Sequence, residues 1–318
     1  MNKKKILFSI VLSILLCSGC FELAPPSDTT KIYVDDDGKA EFTQIQEAID
    51  IASPGGTVFV YNGTYFERLV INKSITLIGE SMSETAIYFT GDTHDPVDIV
   101  LVTADDCVIN NFGVINAGNS SNVTGVKIVS SGNTISNLTI SRCKYGILVD
   151  GGSNNNISQN SISNSYGILL RSSDNNNISK NDIFFSIFYS LCLEQGSDNN
   201  IIFGNNITRG FQGIGIHVND SEFNRVFGNV IMYNRAGAWC CCGALYNIFY
   251  NNVFKLNRDY NARDDGNNTW DSVGVGNYWH DYLDKYPDAT EIDGVWDTPY
   301  NITGDIKDRY PLVNPPVT

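Results

Sequence analysis

From residue 100 to about residue 260, apolar and polar positions alternate in short bursts closed by Asn, Gly or Ser, and no burst holds a helical period. The bursts recur. The pattern Ile-x-x-Asn-x-Ile can be anchored at Ile109, Ile135, Ile157, Ile178, Ile202, Val226 and Ile248, at intervals of 26, 22, 21, 24, 24 and 22 residues. An asparagine follows the anchor at Asn160, Asn181, Asn205, Asn229 and Asn251, and another precedes it at Asn133, Asn155, Asn176, Asn200 and Asn224. Roughly half a repeat later a second signature returns as Gly125-Val-Lys-Ile, Gly146-Ile-Leu-Val, Gly167-Ile-Leu-Leu, Ser190-Leu-Cys-Leu, Gly213-Ile-Gly-Ile and Gly237-Ala-Trp-Cys.

A repeat of this length holds three short strands and cannot bury its apolar side alone. Coiling solves the problem, because each strand then pairs in parallel with its equivalent one turn later, ~4.8 Å away, and inward side chains form continuous aliphatic columns. Asparagines at the bends stack into amide ladders. The handedness of parallel crossovers makes the coil right-handed. Propeller blades need repeats of roughly 40 to 50 residues and leucine-rich repeats need a leucine consensus, so neither fits. The expected fold is all-β, a single right-handed parallel β-helix of about eight to ten coils.

Both ends of a solenoid need covers. Residues 43–52 carry Thr43-x-x-Gln46, a capping-box pattern, and an apolar stripe at Ile45, Ala48, Ile49 and Ala52, which predicts an amphipathic lid helix. Strands are expected over residues 57–61, 66–71 and 74–78. The β-helix with this cap spans residues 31–275, and residues 276–318 form a C-terminal capping segment in which Trp279, Trp296, Tyr300 and Tyr310 make an aromatic plug.

Composition changes the picture in two ways. The chain has 37 asparagines and 28 glycines in 318 residues, which disfavours helix and suits turns. Its net charge of −14 excludes a nucleic-acid partner, which would require clustered Lys and Arg. Ahead of this body, Lys3, Lys4 and Lys5 precede an apolar run at residues 6–16 and then Cys17-Ser-Gly-Cys20. The run is too short to span a bilayer. It resembles a bacterial or archaeal lipoprotein signal over residues 1–19, which implies a lipid-modified Cys20, a tether over residues 20–30, and a membrane-anchored location outside the cytoplasm. An ordinary cleaved signal peptide is the alternative.

Residues Ile32-Tyr-Val-Asp-Asp-Asp-Gly38, Phe42-Thr-Gln-Ile-Gln-Glu-Ala-Ile-Asp50, Gly63-Thr-Tyr-Phe-Glu67 and Ser74-Ile-Thr-Leu-Ile-Gly-Glu80 resemble the opening of pectin-lyase-like β-helix proteins. The ending, with Gly276-Asn-Tyr-Trp279, Asp293-Gly-Val-Trp-Asp-Thr-Pro-Tyr300 and Asp308-Arg-Tyr-Pro-Leu312, is similar to that of the NosD-type family. The resemblance implies a surface protein that binds or modifies carbohydrate, as a lyase, hydrolase or epimerase if it is an enzyme. A non-enzymatic adhesin or envelope component is the alternative, and copper handling ranks last. The implied partner is a polysaccharide or surface glycan, and a monomer is expected.

Four residues after the Gly or Ser that opens the second signature stand Asp150, Arg171, Glu194, His217 and Cys241. In register they form one outward row, in which Glu194 would lie between Arg171 and His217 and raise the imidazole pKa. Such a row offers an acid, a base and a cationic clamp for uronate chemistry, or else an exposed ladder of ion pairs. Tyr145, Tyr166 and Tyr189 precede the same signature in consecutive coils. Outward they are a stacking platform for sugar rings, and inward or at a bend they support the coil. Cys107, Cys143, Cys192 and the run Cys240-Cys241-Cys242 read as small buried hydrophobes, with Cys240 a core position equivalent to Ile216 and Leu193, since no spacing matches a zinc site. A soft thiolate site for copper at Cys241 and Cys242 is the alternative. With only His94, His217 and His280, ligand count does not support copper. No cofactor is expected. The run from Glu291 to Asp297 occupies the place where relatives carry a calcium-loop-like sequence, but the leading Asp is replaced by Ala289, which disfavours calcium.

Overall fold

A computed structural model describes residues 31–316, so the signal, the tether and Cys20 lie outside the described residues. Three columns of parallel strands wind into a solenoid of about ten turns, each of about 24 residues. The first column begins at Lys31–Val34 and Thr57–Val60 and ends at Asn267–Thr269. The second runs from Gly63–Tyr65 to Tyr278–Trp279, and the third from Leu69–Ile71 to Tyr260–Asp264. The expected all-β parallel β-helix is therefore the fold. Among the described residues, no helix is long and apolar enough to cross a membrane.

Like stacks on like through the core. In the first column Ile109, Ile135, Ile157, Ile178, Ile202 and Val226 are successive register partners, all essentially inaccessible to solvent. In the second, Ile140, Ile162, Ile183, Ile207 and Ile231 do the same. Each fully buried aliphatic contributes about 1.5–3 kcal/mol relative to exposure. At the bends two buried asparagine ladders run through the turns from residue 133 onward. One passes through Asn133, Asn155, Asn176, Asn200, Asn224, Asn247 and Asn268, each Nδ2 donating to the next Oδ1 at 2.8–3.2 Å. The other passes through Asn160, Asn181, Asn205, Asn229, Asn252 and Asn277. Carboxylates end both ladders: Asp264 Oδ1 accepts from Asn268, and Asp308 Oδ2 accepts from the Asn277 backbone.

The last expected anchor is one residue early. Val226 pairs with Phe249, not Ile248, and Asn252 rather than Asn251 joins the ladder. The residue before each rung asparagine from Asn160 to Asn252 is left-handed, as at Gln159 (φ 59°) and Lys180 (φ 54°), and Asn251 (φ 56°) fills that role. Two adjacent asparagines concealed the extra residue.

The lid helix spans Ile45–Ile51 and buries Ile45, Ala48 and Ile49 as expected. Its cap differs. Gln44 occupies the N-cap without a side-chain bond, and Glu67 instead takes the Ile45 and Gln46 N–H groups at 2.7 and 2.9 Å. A carboxylate from the next turn thus does the work assigned to Thr43. The expected strand at residues 66–71 is shortened to Leu69–Ile71, a separate strand forms before it at Gly63–Tyr65, and Phe66 between them is exposed. At the other end Trp279 stacks on Phe254 at 4.6 Å and on Tyr300 at 4.2 Å, while Trp296 stacks on Tyr282 at 5.1 Å. Tyr310 is 38% exposed and stands outside this plug.

Candidate functional site

The outer face of the third column carries two parallel rows. In the first, Asp150 is the register partner of Arg171, and Arg171 of Glu194. All three are half-buried. Arg171 Nε donates to Glu194 Oε1 at 3.0 Å, and Lys127 Nζ stands 3.4 Å from Asp150 Oδ2. Each carboxylate therefore already has a cation, and the Arg171 clamp is engaged within the chain.

His217 does not continue this row. Its register partners are Cys192 and Trp239, so Asn219 stands beyond Glu194, followed by Cys241. The repeat glycine of this coil is Gly215, partner of Ser190 and Gly237, rather than Gly213, which instead closes a turn by donating to Gly210. A two-residue slip keeps every side chain on its own face, so alternation alone cannot reveal it. For the same reason Cys240 is equivalent to Val218 and Leu193, not to Ile216.

The corrected position gives His217 a different chemistry. The ring is 4% exposed and lies between two thiols, Cys192 Sγ at 3.5 Å from Nδ1 and Cys241 Sγ at 3.5 Å from Nε2. No carboxylate is in hydrogen-bond reach. Burial lowers its pKa to about 4, the reverse of the expected rise. Burial also pushes the Cys192 thiol well up and Cys241 to about 12. His217 at neutral pH is a neutral aromatic ring.

It belongs to a stripe. Tyr145, Tyr166 and Tyr189 all stand outside the coil, Tyr145 and Tyr189 packed on a small apolar ridge of Leu148, Leu169 and Cys192. Ring centroids step from Tyr145 to Tyr166 at 4.9 Å, to Tyr189 at 5.8 Å, to His217 at 4.4 Å and to Trp239 at 5.1 Å. These steps follow the rung spacing. Cations cover both ends, Lys144 over Tyr145 at 5.0 Å and Arg263 over Trp239 at 5.5 Å. Beyond Trp239 the stripe opens on a depression of about 320 Å³ lined by Tyr260, Ala262, Arg263, Asp265, Ile302 and Thr303. The Trp239 indole N–H donates to Asp265 Oδ2 at 2.9 Å and, with Arg263, holds that carboxyl below its ordinary range.

Sequence reasoning missed Trp239, Arg263 and the Leu148–Leu169 ridge. Trp239 stood in the quoted Gly237-Ala-Trp-Cys signature, at the position equivalent to Cys192, and the register error hid its place beside His217. A groove of about 280 Å³ lies elsewhere, on the second column, lined by residues that include Asp182, Phe184, Asn206 and Arg209. Its carboxylate is already bonded to Asn206 Nδ2 at 2.9 Å.

Among the described residues, no group of three or more His, Cys, Asp or Glu side chains is arranged to hold a metal ion. The two His217 nitrogens address sulfurs on opposite sides of the ring, so they cannot share one ion. At the calcium-loop-like segment, Asp297 Oδ1 is taken by the Thr290 N–H and the Thr298 hydroxyl.

Among solved structures, the enzymatically active domain of tailspike protein 2 from bacteriophage CBA120 is similar with a TM-score of 0.63 at 14% identity, covering 76% of this chain and 42% of that one. The chain thus spans about two fifths of that domain. The DFA-IIIase of Arthrobacter chlorophenolicus A6 in complex with DFA-III gives 0.56 at 12% identity, covering 70% and 67%, and the Dettilon tailspike protein 0.57 at 16%, covering 76% and 61%. These likenesses establish the β-helix. No curated protein matches the sequence. The model of the family described as periplasmic copper-binding protein (NosD) matches residues 49–283, about three quarters of the chain, and the protein belongs to that family.

Proposed function

We propose that this protein is an extracytoplasmic carbohydrate-binding β-helix whose binding surface is the outer face of the third column. One observation carries the reading: four half-buried rings, Tyr145, Tyr166, Tyr189 and Trp239, line up at rung spacing around the buried His217, beside a row of polar groups from Asp150 to Asn219. Pyranose faces stack on such rings, while their hydroxyls need flanking donors and acceptors. The similarity to tailspikes and to an enzyme solved with DFA-III supports a saccharide ligand, and the periplasmic description of the family supports the location. Lipid attachment at Cys20 belongs to the same proposal, and lipid labelling that survives a Cys20→Ser change would remove it.

Binding is favoured over cleavage. Asp150 and Glu194 are engaged by Lys127 and Arg171, and His217 is buried and neutral, so the row offers no free acid and base pair. The family description names copper, yet the sulfurs and imidazole present do not converge on one ion and the Cys192 and Cys241 thiols are held protonated, so the residues do not fit that metal. A glycan panel followed by calorimetry with Tyr166→Ala and Trp239→Ala tests the reading. Each substitution should weaken binding about tenfold, ~1.4 kcal/mol, with unfolding midpoints unchanged. Failure to bind any glycan, or unaltered affinity in both variants, refutes it.

A further inference from the structure

The position of Cys241 in the outer row recurs in five consecutive rungs, from Asp150 to Cys241, and in each of them the residue after it turns the chain away. The five equivalent pairs are Asp150-Gly151, Arg171-Ser172, Glu194-Gln195, Asn219-Asp220 and Cys241-Cys242. The second member has positive φ each time: 79°, 47°, 57°, 47° and 57°. Four rungs place polar or glycine residues here, as a solvent-facing turn requires. The fifth places two thiols.

The turn brings those thiols together. Ala244 N–H donates to Cys241 C=O at 3.0 Å, and Cys242 and Gly243, with φ of 57° and 97°, form the two central residues of a tight turn. The two Sγ atoms are 2.8 Å apart, inside the ~3.5–4.0 Å typical of non-bonded heavy atoms. Cys242 is exposed and Cys241 is buried against His217, so one sulfur is open to a soluble oxidant and the other is in contact with the aromatic stripe. Cys192, Cys143 and Cys107 are buried and Cys240 faces the core, so Cys242 is the one exposed thiol among the described residues.

We propose that Cys241 and Cys242 form a reversible vicinal disulfide, a redox-modification site at the end of the aromatic stripe. The oxidant is a small-molecule or protein disulfide. The Cys242 thiolate attacks it, releasing one thiol and forming a mixed disulfide. Cys241 sulfur then displaces the second half, and its proton leaves with that thiol. Two cysteine thiols lose two electrons and two protons, and the donor disulfide becomes two thiols. Neighbouring Cα atoms are ~3.8 Å apart, below the ~4.4–6.8 Å usual for disulfides, so the ring is strained and easily reduced. Oxidation changes the Cys241 sulfur that lies 3.5 Å from His217 Nε2 from a thiol to a disulfide sulfur, which links the redox state to the ring between Tyr189 and Trp239. Oxidant supply in the organism rests on the extracytoplasmic reading; the test does not.

The full chain is incubated with oxidised glutathione, alkylated in denaturant, digested and weighed. The peptide containing Cys241 and Cys242 also holds Cys240, so it should fall from three alkylated thiols to one, at Cys240, with the two unlabelled cysteines together two hydrogen masses lighter and dithiothreitol restoring both labels. Cys192→Ser should behave like the wild type. Cys242→Ser, at an exposed turn, should keep one alkylated thiol at Cys241 throughout. Three labels after oxidation, or a glutathione adduct on Cys242 that persists without ring closure, would overturn the proposal, whether or not any glycan binds.

Discussion

Removing one rung of an asparagine ladder tests what holds the coil together. Asn205 is buried, and its Oδ1 accepts from both the backbone N–H and the Nδ2 of Asn181 at 3.0 Å. Its Nδ2 donates to the carbonyls of Ile178 and Phe203 and to Asn229 Oδ1. Asn205→Ala deletes all five bonds and leaves the Asn181 backbone N–H and one of its amide hydrogens buried without this acceptor. At ~1–3 kcal/mol for each unsatisfied buried group, the loss is about 4 kcal/mol. Asn206→Ala is the control, because Asn206 is exposed and loses only one bond, to Asp182, so its change should stay within about 0.5 kcal/mol. Guanidinium unfolding followed by circular dichroism, with the slope compared to detect any partly unfolded coil, measures both. Equal stability of the two variants would show that amide stacking is a passenger of aliphatic packing and would sink the reasoning.

Other outcomes follow from the buried titrating groups and from the stripe. Burial raises the Asp308 pKa from 3.8 to about 7 despite bonds from Asn277, Trp279 and Tyr310. The folded form therefore keeps a proton that the unfolded chain has lost, and stability falls as pH rises from 4 to 7, by up to about 4 kcal/mol. Asp308→Asn should flatten that slope in denaturation at pH 4.5, 6 and 7.5, and parallel curves would exclude the effect. His217 behaves oppositely: with its pKa lowered to about 4, it contributes stability above pH 6.5 that is lost as pH falls toward 4. Its imidazole nitrogen NMR shifts should remain those of a neutral ring at pH 5.5, and a charged ring there would contradict its burial. Tyr189→Ala should weaken saccharide binding as Trp239→Ala does, since both rings sandwich His217, whereas Phe203→Ala on the first column should leave affinity intact.

The repeating chemistry of the chain was enough to establish the coil, its aliphatic columns, its amide ladders and its lid helix. Periodicity of two separates inward from outward residues, and a period near two dozen stacks equivalents, so both signals are local or repeat along one strand. Asp150, Arg171 and Glu194 were legible as neighbours for that reason, and Tyr145, Tyr166 and Tyr189 as a column. Their direction was not, because a bend at the repeat glycine breaks the alternation between Tyr145 and Ile147. The turn lengths also had to come from three dimensions. Inserted residues at 210–213 moved His217 two positions along its strand, a slip that leaves facing unchanged and so leaves no mark in the pattern. That shift exchanged a carboxylate neighbour for two thiols, turned a presumed base into a buried neutral ring, and joined it to Trp239. Likewise Glu67 caps the lid from a different turn, and Asp264 and Asp308 end ladders whose other members lie many residues away. Local pattern decides which residues repeat; which ones touch depends on how many residues each turn spends getting back to the sheet.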